Sequence, residues 1–247
     1  MDIHVPVNIE PQPDDFTCGP TCLHAIYNFY QDAIALDQVI AETSQFEEGG
    51  TLAVLLGCHA LQRGYRARIY TYDLEVFDPT WFMRPDVDLH ERLEQRLEHV
   101  KTSKLRHTIP AYMEFVERGG ELRFEDLTTG LIRKHLSRSI PILTGLSATF
   151  LYRSPREYGP QAQYDDLRGE PQGHFVVLCG YYREKRTVLI ADPFQSNPFL
   201  RGHVYEINID RVICAILLGV LTYDANLLII KPPIQARCKS HASAHRR

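Results

Sequence analysis

The sequence predicts an α+β fold, on three observations drawn from the 247-residue chain. Apolar residues recur at helical spacing through the first half, as at Leu23, Ile26, Tyr27 and Tyr30. Alternating and continuously apolar runs crowd the last third, from His174 to Lys231. No repeat or linker divides the two regions, so N-terminal helices packed on a C-terminal antiparallel sheet read as one domain over 1–235.

Each element has a local cause. Pro6, Pro11 and Pro13 forbid a helix in the leading segment, which is expected to be extended. Cys18 sits just ahead of a helix running to about Tyr30, with Pro20 in its first turn, where a missing N–H costs nothing. Leu36, Val39 and Ile40 mark a short second helix. Gly49 and Gly50 break the chain, and Thr51 is expected to cap a third helix carrying Leu52, Leu55, Leu56 and His59, ended by Gly64. Tyr65 to Asp73 alternates like a strand. Residues 74–135 read as a helical insertion: Leu89, Leu93 and Leu97 stripe a charged helix over Asp88 to Lys101, and Pro110 is expected to open another, closed by Gly119 and Gly120. His90, His99, His107 and His135 fall here as surface or interhelical residues, since none pairs at metal-ligand spacing. Leu127, Leu131 and Leu136 fit a helix leading into a strand over Pro141 to Leu146.

The stretch 150–172, rich in Pro, Gly, Asp and Tyr, reads as a long loop. With the 74–135 insertion it is a candidate lid or specificity wall. His174 to Tyr182 and Thr187 to Asp192 flank polar Arg183, Glu184 and Lys185, a hairpin signal. Val204 to Ile209 is a further strand, Asp210 is expected to cap an apolar helix through Leu218, and Asn226 to Lys231 is the last strand. The basic tail, 236–247, reads as a disordered end.

Composition excludes several classes of function. At 44% hydrophobic and 23% charged, the chain can bury a core, and a net charge of −4 argues against a nucleic-acid partner. No run reaches the roughly 18 apolar residues a membrane helix needs. The longest, Val212 to Leu221, stops at Thr222, Tyr223 and Asp224. The N-terminus lacks a basic-then-apolar signal pattern, so a cytoplasmic location is expected. The six cysteines, at 18, 22, 58, 179, 214 and 238, are scattered and expected to stay reduced. Cys18, Cys22 and His24 have no second ligand pair, so neither a metal nor another cofactor is expected.

Chemistry concentrates in Gln12 to Cys22, QPDDFTCGPTC. A cysteine at a helix N-terminus faces unpaired N–H groups and the positive end of the helix dipole, which favours the nucleophilic thiolate. Six residues earlier, the Gln12 amide can donate to a developing oxyanion. The structural alternative is a small buried hydrophobe. A nucleophile also needs a base and a group that orients it.

His174 and Asp192 are candidates for both roles. The structural alternatives are a strand-start histidine bonded to backbone and an aspartate opening a turn before Pro193. With a three-residue loop, Arg183 to Lys185, Asp192 falls opposite Val176. It is then a diagonal neighbour of His174, with Cβ atoms roughly 7–8 Å apart. A two-residue loop pairs Asp192 with Val177 and turns it to the other face. The site therefore requires an odd loop or a bulge, for which Gly180 is suited.

The ordered pattern QPDDFTCGPTC, GHFVVLCGY and VLIADP resembles the bacteriocin-processing cysteine peptidases that cut after double-glycine leaders, family thirty-nine of the cysteine peptidases, in the papain-like superfamily. The likeness covers the first 30 residues and about 127–200. It implies a papain-like fold with Cys18 as nucleophile, His174 as general base, Asp192 orienting the imidazole and Gln12 donating to the oxyanion beside the Cys18 backbone N–H. A peptide or protein substrate is implied. Familiar members are often shorter domains joined to ABC transporters, so this chain looks more like a free-standing relative, and the resemblance does not extend to a double-glycine substrate. Two rival readings remain: a transferase passing the thioester to an amine, in outline similar to γ-glutamyl transfer by phytochelatin synthases, and a groove that binds peptide without cutting it.

Overall fold

The computed structural model describes residues 2–44, 50–199, 202–222 and 225–233. The tail 236–247 and Gly49 lie outside these. In chain order the elements are β1 (Ile3–His4), α1 (Cys18–Phe29), α2 (Leu36–Glu42), α3 (Ala53–Gln62), β2 (Arg66–Thr71), α4 (Leu89–His99), α5 (Ser103–Glu117), β3 (Glu121–Arg123), α6 (Thr129–Leu136), β4 (Ile142–Ser147), α7 (Ala148–Tyr152), β5 (Glu157–Tyr158), β6 (Gln163–Tyr164), β7 (Gly173–Tyr182), β8 (Thr187–Ala191), β9 (Val204–Asn208), α8 (Ile209–Leu218) and β10 (Asn226–Lys231). The class is α+β, as predicted.

One eight-stranded sheet organises the molecule, in the order β3-β2-β10-β4-β7-β8-β9, with β1 added on β7. It is antiparallel except at β2–β3, where α4 and α5 provide the crossover that a parallel pair requires. The 74–135 stretch therefore also supplies a strand to the sheet edge. Within it, α4 packs on α5 and α5 on α3, while α1 lies on β7 and α8 on β4. Leu23 and Ile26 of α1 are fully buried, each worth about 1.5–3 kcal/mol relative to exposure. This face of α1 fixes where Cys18 points.

Two caps, one helix start and one loop differ from expectation. Thr51 does not cap α3: Leu52 holds that position, and the Thr51 hydroxyl donates to the Ser44 carbonyl. Pro110 does not open α5 but lies inside it. Both Pro110 and Arg106, whose carbonyl loses its partner, are exposed, so water can serve the freed group. Asn208 caps α8 in place of Asp210, its side chain accepting from the Asp210 and Arg211 N–H groups at 2.9 and 3.3 Å. The 150–172 stretch is not bare loop, since α7 opens it and the β5–β6 hairpin folds back within it.

The β7–β8 hairpin decides the site. Tyr182 pairs with Thr187, leaving a four-residue connection, Arg183 to Arg186. That even count alone would turn Asp192 away from His174. A bulge between Leu178 and Gly180 restores the parity: Cys179 is the extra residue, and beyond it Val177 pairs with Ala191. Continuing that register sets Asp192 across from Val176, diagonal to His174. β1 seals the bulge, because the Val5 N–H donates to the Cys179 carbonyl at 2.7 Å. Gly180 is required by close approach: a Cβ there would sit 2.9 Å from the Ile3 carbonyl oxygen.

Candidate active site

Cys18 is the first residue of α1, with Thr17 at the N-cap. The preceding turn is tied by the Phe16 N–H, which donates to Asp14 Oδ1 at 2.8 Å, and the Thr17 hydroxyl, which donates to the Asp14 carbonyl at 3.3 Å. One turn deeper, the Cys22 thiol donates to the Phe175 carbonyl at 3.3 Å. This bond anchors the start of α1 to β7 one residue past His174. Burial pushes the Cys22 thiol well up, and it does the same to Cys58 and Cys179, each to about 12. Cys18 is partly exposed.

His174 stands on the second residue of β7, paired with Leu146 of β4. Its Nε2 lies 2.9 Å from Asp192 Oδ1, and the two side chains are 8% and 0% exposed. An ionised carboxylate can only accept, so Nε2 carries the proton and donates. Nδ1 is thereby left for Cys18, whose side chain interacts with the His174 ring. Burial alone would lower the imidazole pKa, but the Asp192 charge, the Cys18 sulfur and the bonds to both outweigh it and lift the ring to about 10. Asp192 shows the reverse balance. Burial disfavours its charge, yet His174 and the donors around it hold the carboxyl below the usual value.

Asp192 is the most fully satisfied group in the site. Oδ1 accepts from His174 and from the Phe194 N–H at 2.9 Å. Oδ2 accepts from the hydroxyls of Tyr152 at 2.7 Å and Tyr205 at 2.5 Å. Its backbone is held as well: the N–H donates to the His203 carbonyl at 2.8 Å, and His203 Nδ1 meets the Asp192 carbonyl at 2.8 Å. A buried carboxylate with no partner would cost several kcal/mol. Four donors explain why this one stays charged.

Gln12 is tied next to Asp192 through its backbone, whose N–H donates to the Pro193 carbonyl at 2.9 Å. Its side-chain Nε2 donates to the Asp14 carbonyl at 2.7 Å, which orients the amide. Cys18, His174, Asp192 and Gln12 thus come from α1, β7, the end of β8 and the leading segment. Tyr152 and Tyr205 were not legible as site residues. The inward face of β9 marks Tyr205 as buried, but nothing local names its acceptor.

Among the described residues no group of three or more His, Cys, Asp or Glu is arranged to hold a metal ion. No described helix is long and apolar enough to cross a membrane.

A family model described as "Peptidase_C39 like family" matches residues 4–206. Among solved structures, the chain is similar to a double glycine motif protease from an AMS/PCAT transporter in complex with the leader peptide, at 15% identity and TM-score 0.44 over 93% of this chain and 94% of that one. It is also similar to the peptidase domain of Streptococcus ComA, a bi-functional ABC transporter involved in a quorum sensing pathway, at 14% identity and TM-score 0.42 over 92% and 99% of the two chains. No curated protein matches.

Proposed function

This chain belongs to the Peptidase_C39-like family, and on that premise we propose that it is a cysteine peptidase or amidase acting through Cys18, His174 and Asp192. The observation that carries the reading is the buried His174–Asp192 hydrogen bond at 2.9 Å, on a ring that interacts with the Cys18 side chain at the head of α1. The His174 ring keeps its proton to about 10, so an imidazolium stands beside Cys18 either in the resting enzyme or once the thiol proton has passed to it during attack.

The thiolate attacks the carbonyl carbon of a peptide or amide substrate, and the π electrons pass to oxygen. The Cys18 backbone N–H and the Gln12 side-chain amide meet that oxyanion; one such donor is typically worth about 2.7–4 kcal/mol. The imidazolium gives its Nδ1 proton to the leaving amine, and the C–N bond breaks. Neutral His174 then takes a proton from water, which attacks the thioester and frees the acid. Asp192 holds the ring tautomer throughout and stabilises the imidazolium. The unit spans 1–235, with 74–135 as an insertion.

The test is a cleavage profile on a peptide library or proteome, with Cys18→Ala as the control. Loss of all specific cleavage in a folded Cys18→Ala protein supports the reading. Wild-type turnover in that variant overturns it. Repeating the assay with an added amine separates hydrolysis from acyl transfer, by whether the acyl group leaves as an acid or as a new amide.

A further inference from the structure

We propose that Tyr152 and Tyr205 are positioning residues, whose two hydroxyls on one oxygen of Asp192 keep that carboxylate ionised and aimed at His174. The inference rests on the proposed peptidase reading and deepens it. The two rings reach Asp192 from separate elements, α7 and β9, and both donate to Oδ2. Oδ1 is left to His174 and the Phe194 N–H. Each oxygen therefore has two donors, and the plane of the carboxylate is set by four groups from four points of the chain.

The tyrosines are suited to this and to little else. Tyr205 is buried and Tyr152 half-buried, and desolvation with the adjacent Asp192 charge pushes each phenol far above its ordinary range. They stay protonated donors at any working pH and do not compete for the imidazole proton. Tyr152 also sits against the imidazole, its ring centroid 6.1 Å from that of His174, and packs on Phe194 and Phe199. Tyr205 packs on Phe199 at 4.5 Å. A Tyr→Phe exchange keeps these ring contacts and removes only the hydrogen bond.

The other ionisable groups that face this carboxylate are His174 on β7, Cys22 on α1, and His203, which meets its backbone, while Cys18 faces the His174 ring. Arg211 on α8 faces Tyr205. None of these donates to Oδ2. Removing both hydroxyls leaves that oxygen buried with no donor, so Asp192 takes up its proton at higher pH. Once neutral, it no longer supports the imidazolium, and Cys18 loses the cation beside it.

The test follows the rate of Cys18 alkylation by iodoacetamide against pH, read by peptide mass spectrometry on the full chain, so no substrate is needed. Tyr152→Phe, Tyr205→Phe and the double variant are compared with wild type, with exposed Cys214 as the internal control. In the double variant the low-pH end of the Cys18 profile moves up by about 1–2 pH units, and in each single variant by about one. The Cys214 profile stays in place. A merely structural role lowers the melting temperature and leaves the Cys18 profile where it was. Superimposable profiles in a folded double variant overturn the inference, and if the double variant does not fold, superimposable profiles in both single variants do so. Wild-type Cys18 no more reactive than Cys214 instead overturns the peptidase reading on which it rests.

Discussion

Asp192→Asn tests the electrostatic logic of the site most directly. The amide has the shape of the carboxylate but not its charge. With its carbonyl oxygen in the Oδ1 position it still accepts from His174 and Phe194, and its NH2 faces the hydroxyls of Tyr152 and Tyr205, which can rotate to accept. The fold should therefore survive. The His174 ring, however, owes its rise from 6.5 to about 10 chiefly to Asp192, against a burial that pulls the other way. That gap is on the order of 5 kcal/mol of preference for the imidazolium. Losing the charge leaves the burial in place, and the ring falls by about 1–3 units or more. Since the imidazolium must protonate the leaving amine, the alkaline limb of kcat/KM should drop from near 10 by the same interval. At neutral pH kcat should fall about 10²- to 10⁴-fold. The assay is a pH–rate profile on a peptide identified by the cleavage screen, with circular dichroism to verify folding. A folded Asp192→Asn enzyme with its alkaline limb unmoved, and activity near that of wild type, would refute the reasoning.

Three further outcomes are expected. Gln12→Ala should lower kcat about 10²- to 10³-fold with little change in KM, because an oxyanion donor acts in the transition state; a loss confined to KM would place Gln12 in substrate binding instead. Gly180→Ala should destabilise the fold by about 1–3 kcal/mol in urea titration, since the new Cβ meets the Ile3 carbonyl oxygen at 2.9 Å; unchanged stability would mean that β1 yields freely. The His174–Asp192 pair should also make stability depend on pH at both ends. The raised imidazole contributes fully below 6.5 and loses its contribution as pH climbs through about 10. The depressed carboxyl contributes above 3.8 and loses its contribution as pH falls through its lowered value. Melting temperatures across pH should decline at both ends in wild type, and less so in His174→Gln; parallel curves would contradict the linkage.

Much of the architecture was legible because its causes are local. Helical spacing found α1, α2 and α4, and apolar runs found β4, β7, β8 and β10, within a residue or two of their ends. Caps were the weak point. Thr51 and Asp210 had suitable side chains, but the structure uses Leu52 and Asn208 as caps, since the cap is whichever residue the backbone leaves in extended geometry before the first turn. Pro110 misled for a related reason: proline favours a helix start, but an exposed helix tolerates it inside when water can serve the orphaned carbonyl.

The sequence by itself determined the chemistry available: a cysteine at a helix N-terminus, a histidine and an aspartate on neighbouring strands, and a glutamine upstream. It also set the condition under which these meet, an odd loop or a bulge. Tertiary structure alone decided how that condition was fulfilled. The connection between β7 and β8 is even, and the bulge at Cys179 that corrects it is held by β1, a segment some 175 residues away. The two tyrosines on Asp192 were likewise beyond reach of the sequence. Strand and helix periods report which face a side chain occupies, whereas a hydrogen bond between distant elements depends on how those faces are brought together.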